Sequence, residues 1–546
     1  MGDKPLIPVS SLRLLTACLA TTPLSEHLAA TLIPIKLFFA GRFRDGFNSA
    51  TGLPLNECHL SFCLKLPMEI SLQKLLAAAI GNYRRRHYAE AEDLCRQLTS
   101  GQSPTSRACF LLGLVLGKTG RQTEAVPWLE RAAQLDPAAP EIWSELGRAS
   151  NALGDYARAA DCFRRFIELR PDNADGYFCL ANARQRLGQH EDAIADYEKS
   201  VELNASDSAA WNNLGKALTE LNRLPEAVTA FDRALVLKPN SALARRNRAL
   251  ALLKTGRWKE GWHDYEWRRS RMIARPHPQP KWNGESIPDK TLLIHAEQGL
   301  GDSIQFVRFV PSARARAPRV ILECQQPLKR LFEHGRFADS VIAVGENSPP
   351  FDVQVALGSL PGIFHATPES IAGRPYLPVP ADDGFSPPPS SRLNVGLVWA
   401  GNATYERDAE RSVPFEQLKP ILQVEDVAFF SFQTVVPARD EACFRSSQKI
   451  AGLSGRLHDF YDTAALVAKM DLIISVDTAV AHLAGALGKP VWLLLPFAPD
   501  WRWLLDRADT PWYQNTRLFR QRQRGDWHPI LLQVANELSR LVSRRE

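Results

Sequence analysis

Two short stretches set reactive side chains beside turns. In Glu297-Gln-Gly299-Leu-Gly301-Asp302 two glycines lead to a carboxylate. Glycine permits tight backbone geometry, so a substrate can approach Asp302 closely. Asp302-Ser-Ile-Gln305 also has the form of a helix capping box, and the two roles are compatible. In Asp477-Thr478-Ala-Val-Ala-His482 the Thr and His stand one helical turn apart, so both can face one ligand. A helix start offers unpaired N–H groups to a phosphate. The plainer roles for the same pair are a cap at Thr478 and a packing residue at His482. Arg407 and Arg411 follow Trp399-Ala-Gly401-Asn402 in a polar loop. Arginine suits bidentate phosphate contact, and a solvated role fits either side chain equally well. Asp500-Trp501-Arg502-Trp503 mixes aromatic and charged side chains and reads as cleft wall, with Glu297 and Arg407 as further wall candidates. No His/Cys/Asp cluster has ligand spacing, so neither a metal nor a cofactor is expected.

The elements that must position these residues can be read around them. Leu472 to Val476 is a β-branched apolar run, as a buried parallel strand would be. A short helix begins at Ala479, Gly488 ends it, Pro490 blocks its continuation, and Val491 to Leu495 is the next strand. The motif thus lies at the carboxyl end of a strand, where open α/β sheets bind ligands. Upstream, Thr291–Ala296 is a strand followed by a helix from Asp302, with further strands at Arg319–Glu323, Ser340–Val344 and Phe351–Val355. A second α/β half begins with Asn394–Trp399, continues through Ala428–Gln433, and ends in a helical stretch from Trp527 to Arg544.

Asp477-Thr-Ala-Val-Ala-His482 resembles the Asp-Thr-Gly-x-x-His signature of bacterial heptosyltransferases, a family of GT-B glycosyltransferases (glycosyltransferase family 9). Ala479 replaces the Gly, so the backbone approaches a ligand less closely there. Thr291 to Gln305, with its Gly-Asp turn, is similar to that family's first strand. The resemblance covers roughly residues 291 to 535. It implies two Rossmann-type halves facing across a cleft and metal-independent transfer from a nucleotide-diphosphate sugar. It makes Asp302 the catalytic base and Asp477 a contact of the donor sugar. Thr478, His482, Arg411, Gly299 and Gly301 then belong to the donor and phosphate site, with Arg411, His482 and the helix dipole supplying positive charge.

Between residues 72 and 275 a period of 34 residues repeats. Gly113, Gly147, Ala181, Gly215 and Ala249 share one position, and Gly120, Gly154, Gly188, Asn222 and Gly256 share another. Leu129, Phe163, Tyr197, Phe231 and Tyr265 share a third. The pattern resembles the tetratricopeptide (TPR) repeat: small residues let paired helices approach and a large one fills the gap to the next. A weaker copy at Ala79, Arg86 and Ala91 makes six repeats. The fold class is therefore α plus α/β, an N-terminal TPR solenoid followed by a GT-B-like pair. The expected domains are a solenoid at 68–275, a linker at 276–290, halves at 291–380 and 393–546, and a linker at 381–392 between them. Trp258, Trp262 and Trp267 in the last repeat are expected to pack on the following domain. Residues 1–67, broken by prolines, read as a poorly ordered extension or a start-site artefact.

A solenoid fused to a GT-B domain also resembles the nucleocytoplasmic O-linked N-acetylglucosamine transferases, whose groove carries an asparagine ladder. Asn213 and Asn247 share one repeat position and Asn182 lies nearby, a partial ladder. The repeats are expected to recruit a protein or peptide acceptor; the alternative is a non-catalytic scaffold with a degenerate transferase domain. The chain has 546 residues, nine cysteines without paired spacing and a net charge of +6. These features argue against a disulfide framework, a nucleic-acid partner or a zinc site. Arg517, Arg520, Arg522 and Arg524 read as a solvated or ligand-rim cluster. No apolar run reaches the length of about 18 residues that a membrane span needs, and a cytoplasmic location is expected.

Overall fold

The computed structural model describes residues 72–100, 104–271, 277–371, 373–381, 384–388, 393–405 and 407–544. The expectation for residues 1–67 lies outside them. The chain forms two compact units, one ending at Leu203 and one starting at Asn204.

The first unit holds four helix pairs: 72–84 with Tyr88–Thr99, Ser106–Lys118 with Gln122–Leu135, Pro140–Ala152 with Tyr156–Leu169, and Ala174–Arg186 with His190–Leu203. The periodic residues explain the pairing. A Cβ added at Gly113 would stand 2.6 Å from the Leu129 side chain, and one at Gly147 would stand 2.8 Å from Phe163. A larger side chain there would have to push the facing one aside, so the position is kept to glycine or alanine. Each pair is joined by a turn whose second periodic residue is left-handed: φ is +82° at Gly120, +81° at Gly154 and +77° at Gly188. Arg86 takes the same position with φ 63°, so the weaker first copy makes the same turn.

The second unit begins with two more pairs, Ser208–Glu220 with Leu224–Leu237 and Ala242–Lys254 with Trp258–Tyr265. Two parallel sheets follow. The first contains β1 (Thr291–His295), β2 (Arg319–Cys324), β3 (Ser340–Ala343) and β4 (Val353–Ala356) in the order β3-β2-β1-β4. The second contains β5 (Leu393–Val398), β6 (Val427–Ser431), β7 (Ile450–Gly452), β8 (Leu472–Val476), β9 (Val491–Leu495) and β10 (Thr516–Arg520) in the order β10-β9-β8-β5-β6-β7. The order reverses between β1 and β4 in one sheet and between β5 and β8 in the other. Such switch points open a crevice at the carboxyl ends of the strands.

Two expectations need correction, and one linker is anchored to a strand. The helix after β1 starts at Leu300, so Asp302 sits inside its first turn and Gly299 is the N-cap. The stretch at 277–290 is mostly exposed but anchored at Trp282, which is fully buried and whose N–H donates to the Gln354 carbonyl, and at Lys281, which bridges to the same strand. The arginine cluster is only partly solvated: Arg522 is exposed, and Arg524 donates to Glu220. Arg517 and Arg520 stand on β10, Arg520 donates to the carbonyls of Trp503, Leu504 and Arg507, and Arg517 pairs with Glu537.

The last repeat shares one apolar core with both sheets. Trp258 stacks on Trp512 with centroids 5.0 Å apart, and Trp262 meets Trp501 edge-on at 5.3 Å. The packing role expected of these two tryptophans is what the structure shows. Trp267 differs: the Arg245 guanidinium covers its ring at 5.1 Å.

Candidate functional site

The turn after β8 is assembled by its own hydrogen bonds. Thr478 is the N-cap of the helix Ala479–Ala486, yet its hydroxyl pairs with Ser475 Oγ at 3.0 Å and makes no side-chain cap. The amides that open this helix therefore keep the free N–H groups common to helix starts. His482 is buried, stacks on Trp503 at 5.3 Å, and shares a hydrogen bond at Nδ1 with the Tyr513 hydroxyl at 2.9 Å. Its Nε2 lies 3.8 Å from Asp477 Oδ1. Burial, reinforced by Arg502, Arg308 and Arg411, lowers the imidazole pKa well below the usual histidine range. His482 is thus neutral, which corrects the expectation that it supplies positive charge. Burial and the nearby Asp500 carboxylate push Asp477 up to about 6, against the opposing pull of Trp503, Arg502 and Arg411.

Arg411 spans the β5–β8 switch point. Its Nη1 donates to the Asp477 carbonyl at 2.9 Å, its Nε donates to Asp408 at 3.0 Å, and its guanidinium packs where a Cβ at Gly401 would sit. One half of the fork is therefore tied to the turn that carries Asp477 and Thr478. Arg407 points elsewhere. It pairs with Glu410 at 2.6 Å and with Glu220 of the fifth repeat at 2.8 Å.

The β1 turn meets the β8 turn directly. A Cβ at Gly301 would come 2.8 Å from His482 Cδ2, so glycine is what lets the two turns touch. Asp302 accepts the Gly299 N–H at 2.8 Å through Oδ2, and its Oδ1 accepts from Arg502. This is half of a capping box, with Asp302 reaching back from the third helical position. Burial together with the Asp500 and Glu297 carboxylates raises the Asp302 pKa above the usual carboxylate range, while Arg502 and the Gly299 N–H pull it down. Glu297 is engaged by the buried Arg268, whose Nη2 donates at 2.7 Å and Nε at 3.0 Å.

Arg502 carries most of the contacts from the other side. Its Nη1 donates to Asp500 at 2.8 Å and its Nε to Gln305 at 2.5 Å. Its guanidinium stacks over Trp501 at 4.6 Å. Trp501 itself is buried in the tryptophan core. The structure thus brings Asp302, Gly301, Arg502, Asp477, Thr478, His482 and Arg411 together, and it turns Arg407 and Glu297 toward structural partners. Tyr513, Gln305 and Arg268 were not foreseen. Tyr513 stands in a loop 31 residues beyond His482, and no local pattern marks it.

The repeats reach the same loop. Asn222 takes the left-handed turn position with φ 57°, and its side chain donates to the Phe497 carbonyl at 2.8 Å. It also accepts from Lys254 Nζ at 2.8 Å. Lys254 is 5% exposed, and burial pulls its pKa down to about 7. An unfolded lysine titrates near 10.4. Between the two values the unfolded chain holds a proton that the native chain lacks, so stability rises with pH across that window. Lys254→Met is expected to remove this rise. Unfolding of both proteins from about pH 7 to 10 measures it, and parallel pH dependences would refute it.

Among the described residues, no group of three His, Cys, Asp or Glu side chains is placed to hold a metal ion. No helix among them is long and apolar enough to cross a membrane.

Residues 417–494 match the model of glycosyltransferase family 9 (heptosyltransferase). That segment holds Asp477, Thr478 and His482, and Asp302 lies outside it. Residues 76–140, 178–242 and 220–261 match a tetratricopeptide-repeat model, and residues 147–188 match a second TPR model. Protein FlbA of Caulobacter vibrioides is 29% identical over 321 aligned residues, covering 52% of this chain and 53% of that protein. The chain thus spans about half the length of the curated relative it matches. Among solved structures, MamA from Desulfovibrio magneticus is 21% identical over 31% of this chain and 99% of that chain, with a TM-score of 0.30. YrrB, described as a TPR protein with an unusual peptide-binding site, is 20% identical over 30% of this chain and 84% of that chain, with a TM-score of 0.28.

Proposed function

We propose that this tetratricopeptide-repeat protein, with its C-terminal domain similar to glycosyltransferase family 9, transfers a sugar from a nucleotide-diphosphate donor to an acceptor recruited by the repeats. The observation that carries the reading is the meeting of the two turns, with Gly301 against His482 and Asp302 beside Arg502. Transfer needs a base for the acceptor hydroxyl, an anion site for the leaving diphosphate and a pocket for the sugar. Asp302 is the base. Its raised pKa moves it toward the working pH, where a general base is most effective. The amides opening the helix Ala479–Ala486, Thr478 and Arg411 hold the diphosphate. His482 acts as a neutral donor: when Tyr513 donates to its Nδ1, its proton stands on Nε2, beside Asp477. Asp477 accepts hydroxyl groups of the donor sugar.

The protein should release nucleotide from at least one nucleotide sugar in a screen of common donors, and it should do so faster when the acceptor is present. No release from any donor would favour the scaffold reading, in which the repeats bind partners and the sheets bind nucleotide at most. A second measurement uses binding alone. Burial and Asp500 push the Asp477 carboxyl up to about 6, and it accepts most strongly when ionised. Affinity for a nucleotide sugar should therefore fall as pH drops through about 6, while affinity for a sugar-free alkyl ester of the nucleoside diphosphate, which has no phosphate titrating there, changes little. His482→Ala should weaken both by about tenfold, the loss of about one hydrogen bond. Calorimetry at pH values on either side of that pKa gives the answer, and equal pH dependence for sugar-bearing and sugar-free ligands would remove Asp477 from the sugar pocket.

A further inference from the structure

We propose that Arg502 is the positioning residue for Asp302: it locks the carboxylate in its working rotamer and keeps it ionised inside the protein. The proposal rests on the reading of Asp302 as the base. Arg502 is 7% exposed, and three of its nitrogens are spent on three different side chains. Nη2 meets Asp302 Oδ1, Nη1 meets Asp500 Oδ1 and Nε meets Gln305 Oε1. Asp302 and Gln305 belong to the helix after β1, and Asp500 belongs to the loop after β9. One planar fork therefore joins both halves at the reacting carboxylate, with a geometry that lysine, a single point donor, does not reproduce.

The fork is itself held from outside. The Phe306 and Trp501 rings flank the guanidinium, at 5.6 Å and 4.6 Å. Trp501 is gripped by Trp258 and Trp262 of the last repeat, and the loop before it is tied to Asn222. The groups facing Asp302 are Arg502 and Asp500 from the loop after β9, Glu297 from the turn after β1 and Tyr265 from the repeats. Both acidic neighbours repel a charge on Asp302, and Arg502 is the cation that offsets them. Without it a buried carboxylate faces two others, a situation that favours protonation.

The acid limb of the pH–rate profile reports this directly. Arg502→Met should move the limb upward by about one pH unit or more and so lower the rate about tenfold at pH values below the limb. Arg502→Lys should bring the limb part of the way back. A merely structural role would lower the rate equally at every pH, and an unmoved limb in Arg502→Met overturns the proposal. Thermal unfolding gives a readout that needs no substrate. Arg502→Met should lower the melting temperature, and adding Asp302→Asn should recover part of the loss, because the orphaned carboxylate is then gone. If the two substitutions add without recovery, the pairing is not what Arg502 serves. If the wild type turns over no donor while the recovery is seen, the transferase reading fails and the Arg502–Asp302 coupling stands.

Discussion

Asp302→Asn is expected to slow transfer by on the order of 10²–10⁴-fold while the protein stays folded and still binds nucleotide. The asparagine oxygen can accept the Gly299 N–H that Asp302 accepts now, so the first helical turn keeps its cap. Losing that cap altogether would cost only about 1 kcal/mol. Arg502 loses one partner and keeps Asp500 and Gln305. An amide does not take a proton from a hydroxyl at neutral pH, so the chemical step alone suffers. The test compares donor turnover with nucleotide affinity in one preparation. Wild-type turnover in the variant would reduce Asp302 to a structural residue. Glu297 would be a poor replacement, since Arg268 already engages its carboxylate.

Trp258→Ala should cost about 3–5 kcal/mol, the usual penalty for emptying a buried aromatic site. Trp258 is 1% exposed and touches Trp262, Trp501 and Trp512, and its indole N–H donates to the Leu253 carbonyl at 2.9 Å. A whole domain is held by only about 5–15 kcal/mol, so this one residue of the last repeat accounts for a large share. The loss should appear as a lower unfolding temperature of the second unit, together with lost transfer as Trp501 and Arg502 loosen. Trp267→Ala, on a partly exposed ring, should do far less. An unfolding temperature unchanged by Trp258→Ala would mean that the last repeat is dispensable to that core.

Much of this was legible in the sequence for a physical reason. The repeat period survives because every copy needs a small residue where helices cross and a left-handed residue at the turn. Gly113, Gly147 and Gly120 show both. The strands around the motifs are buried on both faces, so β1, β5, β8 and β9 read as apolar runs. The two edge strands of the second sheet did not. β7 has three residues, two of them exposed, and β10 has only Leu518 and Phe519 between two arginines. The site was legible where it rests on local turns, at Gly299 to Asp302 and Asp477 to His482. Partners brought from afar carry no local pattern. Arg268 reaches Glu297 across 29 residues, and Arg502 reaches Asp302 across 200. The neutrality of His482 was equally hidden, because it follows from burial and from distant arginines.

Asn222 sets its turn apart from the others in the array. Four turns of the array use glycine at that position, and a glycine turn has no side chain to tie it to its surroundings. The turn at Asn222 is keyed to Phe497 and Lys254 by its side chain, and the repeat after it is keyed by Trp258. The glycine turns ahead of Asn204 have no side chain to key them, whereas the two copies beyond it are tied to the sheets by Asn222 and Trp258.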